Sequence, residues 1–133
     1  MGISATVTSP TSAHETTVRT GSASRPLAIP AKATGPGSSV NGGEFLMLAL
    51  ATCFCNDLYR EAQRLGIPIR GAEVEATAEF PGVGLAATNI RYRAVVDSSA
   101  SAEAVELLLR ETDAVAEVHN TVRAGVPVEL LRQ

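Results

Sequence analysis

Two cysteines, Cys53 and Cys55, are the only thiols in this 133-residue chain, and both lie inside a strongly apolar run. A thiol does chemistry as its thiolate, which is both nucleophile and metal ligand, so the question is what surrounds each sulfur. The run Phe45-Leu46-Met47-Leu48-Ala49-Leu50-Ala51 is apolar on every side of a helix, which predicts enclosure by protein or membrane. Asn56, Asp57 and Arg60 follow and end it. At about 100° per residue, Cys53 and Cys55 point roughly 200° apart, so an intact helix cannot join them in a disulfide. The helical column through Cys53 holds Asn56, Asp57, Arg60 and Arg64, which predicts polar or solvated surroundings. The column through Cys55 holds Leu48, Ala51, Leu58, Tyr59 and Ala62, which predicts core. Cys53 is therefore the candidate nucleophile and Cys55 the expected filler. A reactive Cys53 needs a cation nearby, and Arg60, Arg19, Arg25, Arg123 and His119 are the available sources.

Other constellations are weaker. His14 and His119 with the two cysteines lack zinc-ligand spacing, so no metal is expected. Gly35 and Gly37, then Gly42 and Gly43, precede the helix without meeting either glycine-rich phosphate-binding pattern. No cofactor is implied. His119-Asn120-Thr121 could orient a polar group, or the histidine could complement a helix C-terminus.

The elements that must position these groups follow from pattern. Thr- and Val-rich segments Ile3–Thr8, Glu15–Thr20 and Pro26–Ile29 predict short strands. Ala31 to Gly43 predicts a Gly/Ser loop. Asn41 with Glu44 forms a capping-box signature, and Gly66 then Pro68 closes a helix over residues 41–65. Alternation over Ala72–Phe80 and over Asn89–Val96, separated by Pro81-Gly82-Val83-Gly84, predicts a hairpin. Ser101 caps a helix through Leu107, Leu108 and Arg110; a shorter helix spans Ala114 to Arg123 and stops at Gly125; Val126 to Leu131 predicts a final strand. The class is α+β, in one domain of residues 1–133: strands and loop over 1–37, the cysteine helix over 41–65, and hairpin, helices and final strand over 72–131.

Composition excludes several functions. The chain has 45% hydrophobic residues, 4% aromatic residues and a net charge of −3, and Lys32 is its single lysine, so no nucleic-acid partner is expected. The apolar run falls well short of the roughly 20 residues of a bilayer span, so no membrane partner is expected either. Met1 to Thr6 lacks the basic and long apolar stretches of a signal peptide, which makes a reducing cytoplasm the expected location and free thiols the expected state.

The block NGGEFLMLALATCFCNDLYREAQRLGI, followed by AEVEATAEF, NIRYRAVV and EVHNTVRAGVPVEL, resembles the OsmC/Ohr family of osmotically inducible and organic-hydroperoxide-resistance proteins, its OsmC-like branch above all, over roughly residues 38 to 131. The resemblance implies an intertwined α+β homodimer with the cysteine helices at its centre. It implies a cysteine peroxidase that reduces organic hydroperoxides in oxidative-stress defence and is recharged by an external thiol or dithiol. Cys53 falls on the reactive position. Arg25, with Arg19 close behind, is the candidate for the N-terminal arginine that stabilises the thiolate, and Glu44 is the candidate for the acid that orients it, although Asn41-Gly42-Gly43-Glu44 shifts that acid by one place from the family's pattern. The family's second cysteine is replaced by Ala116, which leaves resolution to an external thiol or to Cys55 after local unwinding, and places His119 near the position the second cysteine would occupy. Two alternatives stand beside this reading: a non-catalytic OsmC-like dimer that binds an apolar small molecule, and a single-cysteine redox sensor.

Overall fold

The computed structural model describes residues 1–10 and 13–132. Its contacts divide the chain into two compact units, Met1–Phe45 and Leu46–Gln133.

The first unit is a three-stranded antiparallel sheet, β1 (Ile3–Thr8), β2 (Glu15–Thr20) and β3 (Ala23–Leu27), in that spatial order. The first two strands fall where β-branched content placed them. The third starts earlier than the expected Pro26–Ile29, because Gly21-Ser22 turns the chain in two residues and Thr20 pairs at once with Ala23. Gly21 has φ 58°, the first-position glycine of a tight hairpin turn. Pro26 is tolerated inside β3 because this is an edge strand, and the bond from Ile29 N–H to Leu27 C=O curls the chain out of the sheet. Cross-strand register puts Ile3, Ala5, Val7, Thr16, Val18, Thr20, Arg25 and Leu27 on one face. Arg19 lies on the other, with Ser4, Thr6, Thr17 and Ser24.

Helix α1 (Gly42–Leu65) begins with the expected capping box. Glu44 N–H donates to Asn41 Oδ1 at 2.8 Å, and Asn41 N–H donates to the Glu44 carboxylate at 2.9 Å. It ends at Gly66, where Ile67 N–H reaches Ala62 C=O and Gly66 N–H reaches Gln63 C=O, a Schellman closure whose apolar contact is Ile67 against the core.

In the second unit, residues four apart on α1 (Leu50, Phe54, Leu58 and Ala62) form one buried stripe. Phe54, Leu58 and Ala62 meet Leu108, with Val74, Tyr92, Ala94 and Val96 packed against them. The last four belong to the antiparallel hairpin β4 (Gly71–Glu79) and β5 (Thr88–Asp97), whose alternation turns apolar residues inward. Leu108 comes from α2 (Ala102–Val115), capped by Ser101, whose Oγ accepts Ala104 N–H. The shorter helix is α3 (Glu117–Ala124), not Ala114–Arg123. Ala116 is extended and breaks the run, while Asn120 Nδ2 donates to Ala114 C=O and caps the end of α2.

One further expectation is corrected. Val126–Leu131 is not a strand: it pairs with nothing among the described residues, and Val128 is 99% exposed and Leu130 83%. Its alternation is strand-like, but a strand needs a neighbour, and it is paired with none of the described strands. Within its own chain the first half of α1 is covered on one side only, Leu50 being 2% exposed and Leu48 57%. No helix among the described residues is long and apolar enough to cross a membrane.

The stripe gives a direct test. Leu58→Ala is expected to lower the unfolding free energy by about 2–5 kcal/mol, whereas Leu85→Ala, at the exposed hairpin tip, should change it by less than about 0.5 kcal/mol. Urea denaturation measures both, and equal effects would misplace the core.

Candidate active site

The phase of α1 decides the setting of each thiol. With Leu50, Phe54 and Leu58 inward, Cys53 sits beside the stripe, half-buried, and its thiol donates to the Asp57 carboxylate one turn on at 3.7 Å. The surroundings below Cys53 are polar, as expected: Asn56, Arg60 and Arg64 are exposed, while Asp57, which meets the sulfur, is buried. Arg60 turns to Asp57 Oδ1 at 3.0 Å and to Glu61 at 3.6 Å, spending its charge on carboxylates. The backbone N–H of Val118, in the first turn of α3, favours the anion of the sulfur.

The balance runs against ionisation. Burial pushes the Cys53 thiol up; the Val118 N–H pulls the other way, and the charges of Asp57 and Glu117 add to the rise. Within the second unit, Cys53 is a thiol at neutral pH rather than the thiolate a nucleophile requires.

Cys55 is half-buried as well, and the expectation of core around it is corrected. Of its column, Leu58 and Ala62 are buried, but Leu48 and Tyr59 are exposed. The apolar first half of α1 carries no mark of which side meets the hairpin, and the buried stripe runs through Leu50 and Phe54 instead.

His119 lies on α3 at 3% exposure, its ring 4.5 Å from that of Tyr92 and 5.9 Å from that of Phe54. Neither ring nitrogen has a hydrogen-bond partner among the described residues. Burial, then the charge of Arg123, depresses its pKa against the pull of Asp113 and Asp57, leaving a neutral imidazole. Beside it Tyr92 Oη donates to Asp113, and Arg123 Nη2 reaches the same carboxylate oxygen at 2.6 Å. Burial also raises the Tyr92 phenol, and Asp113 reinforces the rise. Spacing alone did not pick out this Tyr92–Asp113–Arg123 chain, because its members come from three different elements. The Cys53–Asp57 contact did have a signal, the i,i+4 interval.

The remaining site residues sit in the first unit. Arg25 on β3 and Arg19 on β2 are exposed and on opposite sheet faces. Glu44 is engaged in the capping box. No group of three or more metal-ligating side chains is gathered among the described residues.

The profile of the family described as OsmC-like protein matches residues 35–131, well over half of the chain. The chain belongs to the OsmC-like family. Among solved structures, it is similar to an OsmC-like protein from Mycoplasma pneumoniae (TM-score 0.63, 17% identity, covering 92% of this chain and 86% of that one). It is equally similar to an organic hydroperoxide resistance protein OsmC from Legionella pneumophila (TM-score 0.63, 16% identity, covering 97% and 94%). An OsmC-like hydroperoxide resistance protein from a Jannaschia species aligns with TM-score 0.53 at 16% identity, over 88% and 80%. No curated protein sequence matches. At these identities the likeness is one of fold, and it confirms the α+β class. The matched residues include the whole of α1, at whose middle Cys53 stands.

Two outcomes test the electrostatics. In a Cys55→Ser background, Asp57→Asn is expected to move the pH profile of Cys53 alkylation by iodoacetamide to lower pH; an unmoved profile would remove Asp57 from the sulfur. Because folded His119 binds its proton less readily than the unfolded residue, the unfolded state gains stability as pH falls below about 6.5. Stability to urea should therefore drop between pH 7.5 and pH 5.5, and His119→Phe should flatten that part of the slope.

Proposed function

We propose that this OsmC-like protein is a thiol-dependent reductase of organic hydroperoxides in oxidative-stress defence, working as a cytoplasmic homodimer with Cys53 as nucleophile. The observation that carries the reading is Cys53 itself, a half-buried free thiol at the middle of α1 in an OsmC-like chain, whose anion the Val118 N–H at the start of α3 favours. A helix N-terminus there favours a developing thiolate and, after oxidation, a sulfenate. Ala116, the position of the family's second cysteine, lies two residues before that N–H and is buried.

In the proposed step the Cys53 thiolate attacks the distal peroxide oxygen. An S–O bond forms, the O–O bond breaks, and the departing alkoxide takes up a proton to leave as the alcohol. With Ala116 in place, a small external thiol attacks the sulfenic acid, releasing water and forming a mixed disulfide, and a second thiol reduces that disulfide. The step needs a cation to offset Asp57 and burial, and we assign it to Arg25, oriented by Glu44. Arg25 shares its sheet face with Ile3, Val7 and Leu27, which are 74%, 55% and 38% exposed, so a surface that covers this apolar face desolvates Arg25 also. Arg19 is on the polar face and is the second choice. Exposed Leu48, Val128 and Leu130 supply further apolar surface for a second copy.

One observation favours a second reading. The raised Cys53 thiol, with no cysteine at position 116, also suits an OsmC-like dimer that binds an apolar small molecule without turnover, or a single-cysteine sensor that stops at the sulfenic acid.

Cumene hydroperoxide consumption in the presence of a dithiol separates these. Cys53→Ser is expected to reduce the rate by at least about a hundredfold, whereas Cys55→Ser should retain it. Ala116→Cys should yield an intramolecular disulfide with Cys53 on oxidation, seen by mass spectrometry. Peroxide that leaves Cys53 unmodified would overturn the reductase in favour of the binding reading.

A further inference from the structure

Cys53 and Asp57 stand one turn apart on α1, and the two oxygens of the carboxylate are divided between two partners. Oδ2 accepts from the Cys53 thiol at 3.7 Å, and Oδ1 accepts from Arg60 Nη1 at 3.0 Å. Arg60 is itself steadied by Glu61, with Nε 3.6 Å from Oε2. Asp57 is 5% exposed, so bulk water competes little for Oδ2. The helix fixes the spacing and the guanidinium fixes the rotation of the carboxylate. An aspartate held in this way opposes formation of the thiolate, but the sulfur passes through a second state, the sulfenic acid.

A sulfenic acid has two fates. As the neutral S–O–H group its sulfur is an electrophile. An external thiol attacks it, an S–S bond forms and the S–O bond breaks; the oxygen keeps its hydrogen, takes the proton of the attacking thiol and leaves as water. As the sulfenate anion the sulfur is a nucleophile. It attacks the distal oxygen of a second hydroperoxide, a second S–O bond forms and the O–O bond breaks, and the hydrogen of the peroxide ends on the departing alkoxide. The products are a sulfinate and an alcohol. Reduction restores the thiol after the first fate, and the second is irreversible without a dedicated repair enzyme.

We propose that Asp57 decides between these fates: its Oδ2 accepts the O–H of the Cys53 sulfenic acid as it accepts the S–H of the thiol, holds that acid neutral, and so reserves it for an external thiol rather than a second hydroperoxide. The added oxygen, turned toward the carboxylate, closes the 3.7 Å gap to the span of a charge-assisted O–H···O bond, about 2.5–2.7 Å. Ionisation would set a second negative charge against a buried carboxylate, and Glu117 on α3 opposes it as well. The Val118 N–H and Arg60 act in the other direction, as does Arg25 where the reductase reading brings it to the sulfur, while His119 is neutral. Among the described residues, Asp57 is the side chain that the Cys53 thiol meets. The role rests on a sulfenic acid forming at Cys53, which the reductase and sensor readings share, and it does not require turnover.

The test uses the full chain carrying Cys55→Ser. One equivalent of tert-butyl hydroperoxide forms the sulfenic acid, confirmed by its dimedone adduct, and a later excess drives it to the sulfinate, followed by intact mass. Reading the second oxidation by itself removes the effect of Asp57 on the first. Asp57→Asn, of similar size and uncharged, is expected to speed sulfinate formation about tenfold at neutral pH, the equivalent of one pH unit in ionisation, without speeding capture by 2-mercaptoethanol. Asp57→Glu, which keeps the carboxylate, should restore part of the protection. The parent chain supplies a readout without any change at position 57: its rate of sulfinate formation should climb from about pH 6 to about pH 9, as a neutral acid ionises. Equal rates in the parent and Asp57→Asn, or a flat parent profile, would overturn the role of Asp57. Dithiol-dependent consumption of cumene hydroperoxide, measured separately, keeps the readings apart. Consumption with equal sulfinate rates removes this role and spares the reductase. The expected rate difference without consumption supports the role and overturns the reductase in favour of the sensor. A Cys53 that peroxide leaves unmodified overturns both.

Discussion

The rotational setting of α1 is the constraint from which the second unit follows. Leu50, Phe54, Leu58 and Ala62 recur every fourth residue, and that stripe packs against Leu108 of α2 and the inward face of β4–β5. Once it is seated, every other residue of the helix has its direction assigned. Cys53 falls beside the stripe toward the start of α3, Asp57 and Glu61 are drawn below the surface, and Leu48 and Tyr59 are turned out. A shift of one residue, about 100°, would bring different side chains to α3 and bury none of the same apolar area. The setting of the thiol is thus a consequence of packing, which contributes far more free energy than the electrostatics of one sulfur.

That packing produces an electrostatic conflict around Cys53. The N–H of Val118 favours an anion, while burial and the carboxylates of Asp57 and Glu117 oppose it. Arg60 does not relieve the conflict, because its guanidinium answers Asp57 and Glu61. A carboxylate that already has a cation partner still repels a thiolate on its other side, though less than a bare one would. The same region holds a second compromise in His119, kept neutral by burial between Phe54 and Tyr92 while Tyr92, Asp113 and Arg123 satisfy one another.

Much of this architecture was legible in the residues. Local signals were the most faithful: the Asn41–Glu44 box, the Gly66 closure, the Ser101 cap and the alternation of both hairpin strands each depend on a few neighbouring residues, and each is found in place. The family was legible too, from the order of the cysteine helix, hairpin and Gly-Val-Pro-Val ending. What failed depended on non-local partners. The side of α1 that is buried could not be read from a segment apolar all round, so the core was assigned to the Cys55 column. The break at Ala116 depends on Asn120 reaching back to Ala114 C=O, which periodicity does not register. Val126–Leu131 has a strand's pattern and no strand to join.

The absence of a cysteine at position 116 and the acid beside Cys53 bear on each other. A sulfenic acid at Cys53 with alanine at position 116 has no nearby thiol to capture it, so it persists until an external thiol arrives and meanwhile stands exposed to further oxidation. A thiolate held permanently at low pKa would enter that state often. A thiol kept protonated by burial and by Asp57 enters it only when a cation is brought to the sulfur, and in the reductase reading that cation, Arg25, comes from a sheet face that is itself incomplete until covered. Reactivity would then be conditional on assembly rather than standing, which is the safer arrangement for a nucleophile without a resolving partner. On this argument the acid beside the thiol is not a defect in the site but the counterpart of the missing cysteine. The Ala116→Cys chain should tolerate loss of Asp57 with less irreversible oxidation of Cys53 than the parent does.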